Sequence, residues 1–275
     1  PVLKTNSERK HVVHTVVFFI FIVANIGGSL LPIGDPPLFL GYLRGVAFFW
    51  TLGLWKEWGF MILLLLIVYY VWDTIAYGKE EKKDVVRDKA QAQPLRVAGL
   101  INVVWILGVV AAVATLDPQK TFPGTNWSPP TYGFFREFVQ LLMAGLSLAT
   151  TPRLFRKENQ FNYVAIAEVA CLFIGIFITM QVPIEILNAK GAELGLTQPW
   201  HFFWATGVLS SFLDNAPTYV VFFETAASEG FTTIGPAVAV LPGRGEISEL
   251  LLVAISCGAV FMGANSYIGN GPNFM

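Results

Sequence analysis

The sequence predicts an all-α polytopic membrane protein whose helices are interrupted inside the apolar layer, and three observations carry that. Hydrophobic residues make up 54% of the chain and charged ones only 13%, where soluble domains are roughly a quarter charged. Gly59 to Trp72 (GFMILLLLIVYYVW) carries no charge, and Val97 to Thr115 is another uncharged run, close to the ~20 residues that cross a hydrocarbon layer. Helix-breaking and polar residues recur inside such runs as well as between them.

Taken in order, the apolar runs cover about 12–31, 35–54, 57–77, 96–116, 133–151, 161–182, 199–226 and 247–275. They divide the chain into a first broken helix with its following transmembrane helix (1–78), a cytoplasmic loop (79–96) and three transmembrane helices (97–182). A re-entrant hairpin with flanking loops (183–245) and a second, truncated broken helix (246–275) complete it. Basic residues collect in three connections: Lys4, Arg9 and Lys10; then Lys79, Lys82, Lys83, Arg87, Lys89 and Arg96; then Arg153, Arg156 and Lys157. Such segments stay in the cytoplasm, which puts 117–131 and 183–198 outside. The alternation closes if 199–226 enters and leaves on one face. A net charge of −1 with its cations in loops leaves no footprint for nucleic acid.

The first helix is apolar from His14 to Ala24 and then meets Asn25, Gly27, Gly28, Ser29, Pro32, Gly34, Asp35, Pro36 and Pro37. Three prolines and three glycines in so short a stretch cannot continue one helix. Breaking it frees carbonyls on one side and N–H groups on the other, the device by which discontinuous membrane helices bind ions near the midplane. Asn25, Ser29, Gly34 and Asp35 are therefore candidate ligands.

The last run repeats the pattern. Ile268-Gly269-Asn270-Gly271-Pro272-Asn273-Phe274 aligns with Ile33-Gly34-Asp35-Pro36-Pro37-Leu38-Phe39, which predicts an inverted repeat of the kind that builds transporters. Asn265, Ser266, Asn270 and Asn273 are its candidate ligands, with breaks at Gly269 and Pro272. Between the two lies Ser210-Ser211-Phe212-Leu213-Asp214-Asn215-Ala216-Pro217-Thr218, a polar tip with a breaking Pro217 inside an apolar stretch. Unpaired backbone at such depth is tolerated only where protein or a water-filled cavity covers it. Ser210, Ser211, Asp214, Asn215 and Thr218 join the candidates.

Membrane carboxylates are functional by default, so Asp35, Asp214 and Glu168 are the proton-relay candidates, and Glu224 reads as interfacial. His11 and His14 share a helical face beside Arg9 and Lys10 at a membrane entry, which suits an interface better than a metal. Cys171 and Cys257 lie in apolar runs and read as packing residues.

At Ala24-Asn25-Ile26-Gly27-Gly28, Pro32 to Tyr42, Phe212 to Thr218 and Gly263 to Asn273 the sequence resembles the ion transporter superfamily. The likeness is to NhaD-type sodium/proton antiporters and the related citrate-transporter group. It implies two re-entrant hairpins and two discontinuous helices, with sodium and substrate held at their tips and breaks. It also implies that one hairpin precedes Pro1, so the chain reads as an internal piece of a bacterial inner-membrane protein. The expected function is sodium/proton antiport, with sodium-coupled uptake of citrate or another carboxylate as the alternative. Two membrane aspartates keep an intramembrane aspartyl protease as a remote third, opposed by Pro36 directly after Asp35 and by Asn270 where a carboxylate is wanted. No resident cofactor is expected beyond the transported sodium ion and proton. The partners are membrane lipid and a small ion or carboxylate, with a homodimer also allowed for.

Overall fold

The computed structural model describes residues 9–81, 83, 86, 99–117, 128, 134–159, 161–228, 237–240, 246–266 and 268–270. Most of the 79–96 and 117–131 loops lies outside them, as do Pro272 and Asn273. The chain is a helical membrane protein forming two compact units, 1–93 with 169–275 and 94–168.

In the first unit α1 (Val13–Phe19) runs into a π-helical turn at Ile20–Asn25 and a 3₁₀ segment at Ile26–Leu30. This 18-residue stretch, Val13–Leu30, is long and apolar enough to span a membrane. The chemistry of the break follows from its residues. Asn25 donates its side-chain N–H to the Ile20 carbonyl at 2.9 Å, competing with the helical ladder. After a second 3₁₀ turn, Pro32–Gly34, the chain is extended at Asp35 and re-enters a helix as α2 (Pro36–Leu43). A 3₁₀ segment, Phe48–Leu54, leads into the long helix α3 (Trp55–Tyr77). Together they form a second span, Phe48–Tyr77, almost all of it exposed. A helix apolar all round and exposed is one that faces lipid.

The second unit contains α4 (Ile101–Thr115), α5 (Phe135–Thr150) and the short α6 (Arg153–Glu158). Asn102 Oδ1 accepts from Ser147 and Thr151, and Trp105 donates to Thr150 Oγ1. These bonds set the register of α4 against α5.

Next, α7 (Val164–Thr179) bends by 46° into α8 (Gln181–Lys190), so the run expected at 161–182 continues past its predicted end. Then come α9 (Pro199–Phe212), α10 (Asn215–Ala226) and α11 (Glu249–Met262). These three make most of the core, with Phe202, Tyr219, Phe223, Leu252, Ile255 and Val260 fully buried. Small residues allow α9 and α11 to touch: a Cβ at Gly258 would lie 2.6 Å from the Phe203 carbonyl oxygen. Close approach through glycine is how membrane helices gain packing energy. Cys257 is buried here and Cys171 is exposed on α7; both are free thiols.

One element departs from an all-α fold. β1 (Ala237–Val240) and β2 (Glu246–Ser248) pair antiparallel just before α11. Gly235-Pro236 and Pro242-Gly243 flank a Val-rich stretch, which denies a helix on either side and suits strands.

Candidate functional site

The broken segments of the first unit meet at one place. Asp35 from the first break, Asn215 from the start of α10, and Asn25 and Asn270 from the two broken runs are all buried to 2% exposure or less. Asn215 Nδ2 donates to Asp35 Oδ1 at 3.3 Å, and Asn270 Nδ2 donates to Asn25 Oδ1 at 2.7 Å. Asn270 also lies within electrostatic reach of Asp35.

The local sequence explains why the Asp35 carboxyl is spare. It sits at the N-cap of α2, where an aspartate ordinarily accepts from the second or third helical N–H. Pro36 and Pro37 fill the first two positions and have no N–H, and the Asp35 side chain makes no cap bond. Asp214 holds the corresponding place before α10 and does cap, accepting from the Ala216 N–H at 2.9 Å. Two aspartates that look alike in sequence are thus in different states: Asp214 is partly buried and engaged with its helix, and Asp35 is fully buried and faces the asparagines. Asp35 Oδ2 and Asn215 Oδ1 are both buried without a hydrogen-bond partner among the described residues. Buried acceptors left without a donor are costly.

The remaining candidates support this junction through backbone bonds. Ser29 donates to the Ile26 carbonyl, Ser210 to Ala259, Ser211 to Gly207 and Met262, and Thr218 to Asp214. Asn265 donates to Ser211 Oγ at 3.0 Å. Ser266 is half-buried and its neighbour Asn265 exposed. Glu168 lies on α7 with its side chain exposed, where a relay would face the bundle.

The two breaks cross themselves in the same way. A Cβ on Gly28 would collide with the Gly34 carbonyl, and one on Gly269 with the carbonyls of Gly263 and Ser210. The two pairs are each six residues apart, and Gly28 falls on Gly263 when Gly34 is laid on Gly269. Neither Gly34 nor Gly269 has a positive φ, so space, not torsion, demands glycine. The Asn215 N–H donates to the Gly269 carbonyl at 3.0 Å, fastening the second crossing to the tip of α10. Gly34→Ala and Gly269→Ala should each destabilise the fold by about 1–3 kcal/mol, the usual cost of overpacking. Gly59→Ala is the control, since no described residue lies within 4 Å of its added methyl. Thermal unfolding of the purified protein in detergent measures all three.

Sequence reasoning misplaces one pair. Glu224 is fully buried, not interfacial, and accepts from Arg44 Nε at 2.9 Å. Arg44, the basic residue nearest the first break in sequence, therefore has its guanidinium against a carboxylate. Both this bond and the Asp35–Asn215 bond join residues 180 apart. α2 and α10 accordingly run side by side in the same direction, tied at the site and again about 13 Å away, nine residues at 1.5 Å each.

No curated protein and no solved structure matches the chain. The model of a family described as "Putative citrate transport" matches residues 1–275. With its apolar spans and its helices broken at a buried polar junction, the chain belongs to that family of membrane transporters.

Proposed function

We propose that the chain carries the cation-coupling site of a secondary active transporter, with Asp35 and Asn215 at its centre and Asn25 and Asn270 beside them. One observation carries this reading: Asp35 Oδ2 and Asn215 Oδ1 are buried acceptors with no hydrogen-bond partner among the described residues. A sodium ion, a hard cation that takes oxygen ligands, would satisfy both. A proton on Asp35 would satisfy the carboxyl instead. One buried carboxylate that must be neutralised by either a cation or a proton makes the two compete, and that competition is the chemistry of sodium/proton antiport. The matched glycine crossings support an inverted repeat. The lengths of α9 and α10, about 21 and 18 Å at 1.5 Å per residue, support a re-entrant hairpin, since neither reaches across ~30 Å of hydrocarbon.

The family match favours a second reading, sodium-coupled uptake of citrate through the same cation site. Against Arg44 as a ligand for citrate stands its bond to Glu224. The full-length protein in proteoliposomes decides between the two. A sodium pulse should move protons without citrate if it is an antiporter. Labelled citrate uptake that requires sodium and proceeds without sodium/proton exchange would replace that reading with the second. Flux indifferent to sodium in both assays would remove the cation site altogether.

A further inference from the structure

The start of one span of the first unit and the end of the other enclose a feature that ion coupling does not use. A cavity of about 350 Å³ lies between the beginning of α1 and the end of α3. Its polar lining is Lys10, His11, His14 and Lys79, with no carboxylate among the described residues that line it. Below, its wall is apolar, with Val17, Phe18 and Trp72. Trp72 and Ile75 also line a second, apolar trough of about 410 Å³ that continues along α3 through Val71 and Val68 to Ile67. From Ile75 to Ile67 the trough descends about 12 Å at 1.5 Å per residue.

The nearby acids Asp73, Glu80 and Glu81 each have a partner at the margin of the cavity. Asp73 accepts from Arg9 at 2.7 Å and lies 2.9 Å from His14 Nε2. Glu80 accepts from the backbone N–H groups of Lys10 and His11. These backbone bonds hold the Glu80 carboxyl below its usual range against the raising effect of desolvation, the largest single cause. Glu81 pairs with Lys10 Nζ at 2.6 Å, with both side chains more than half exposed, and a pair so exposed holds its partner weakly. The same contacts hold the start of α1 against the end of α3, so the walls of the cavity are fixed.

A basic pocket at the mouth of two membrane spans, opening into an apolar trough that runs toward the membrane interior, has the amphiphilic shape of a phospholipid. We propose that it is a binding site for an anionic phospholipid, the headgroup phosphate against Lys10, Lys79 and His11 and an acyl chain along Trp72, Val71 and Ile67. The spans leave the hydrocarbon where headgroups lie, and juxtamembrane lysines attract anionic lipid. The reading is independent of which ion or carboxylate the protein carries.

Quenching of Trp72 fluorescence by brominated lipid tests it. The full-length protein is reconstituted in phosphatidylcholine containing a minor fraction of either brominated phosphatidylglycerol or brominated phosphatidylcholine, and Trp72→Phe isolates the share of Trp72. Brominated phosphatidylglycerol should quench that share in clear excess over brominated phosphatidylcholine. Lys10→Gln and Lys79→Gln should each lower the preference about fivefold, the weight of one basic residue at an anionic surface. Both lysines are exposed, so these variants should fold as the parent does, which size-exclusion chromatography checks. Equal quenching by the two lipids overturns the proposal. So does the absence of quenching by either, because a trough shielded from lipid is filled by protein.

Discussion

Asp35→Asn should abolish sodium-dependent flux while leaving the protein folded and inserted. The substitution keeps the size of the side chain and the acceptor that faces Asn215 Nδ2, and removes the charge. Removing one partner from a buried charge pair costs about 3–5 kcal/mol, which is roughly two to four orders of magnitude in sodium affinity. Flux measured against sodium concentration should therefore show a shift of at least a hundredfold or no transport. Asp214→Asn is the informative contrast. Its carboxylate caps α10 through the Ala216 N–H, a task that asparagine performs about as well, so flux should change by less than about twofold. If Asp214→Asn silences transport and Asp35→Asn does not, the coupling carboxylate is at the hairpin tip and the assignment here is reversed.

That contrast marks how far the sequence can be read. Both breaks announce themselves, because Pro32, Pro36 and Gly34 cannot sit in a continuous helix and Gly269-Asn270-Gly271-Pro272 repeats the pattern. Asn25, Asp35, Asn215 and Asn270 stand out for the same reason, as polar side chains in apolar runs. The sequence does not rank Asp35 against Asp214. Each precedes a helix with a proline near its start, and the difference is positional. Pro37, at the second helical position after Asp35, removes the donor that Ala216 at the same position still offers to Asp214. The π turn at Ile20–Asn25 has no periodicity to betray it, since it arises from one side chain competing for one carbonyl. The strands at 237–248 are too short to show an alternating pattern inside a membrane sequence. Arg44 and Glu224 are far apart in the chain, so their meeting waits on the packing of α2 against α10.

That meeting has its own measurable consequence. Arg44→Gln should destabilise the protein by about 3–5 kcal/mol, because it leaves the buried Glu224 carboxylate short of its counter-charge, and Glu224→Gln should cost less, because the Arg44 side chain is only partly buried. The double variant Arg44→Met/Glu224→Leu, apolar at both positions, should recover most of that loss, since an uncharged pair pays no desolvation. Stability alone would make this an ordinary buried ion pair. The geometry adds more. α2 and α10 are joined twice in one register, at Asp35–Asn215 and at Arg44–Glu224, with Gly41 against the Tyr219 hydroxyl between them. The far bond thus positions the near one. In the double variant, thermal unfolding should return toward the parent while sodium affinity stays weakened, because nothing at the far end fixes the slide of one helix along the other. Unfolding in detergent and sodium-dependent flux in vesicles give the two readouts separately. Recovery of both together would make the pair a matter of stability only, and a double variant no more stable than either single would show that the two side chains are not coupled.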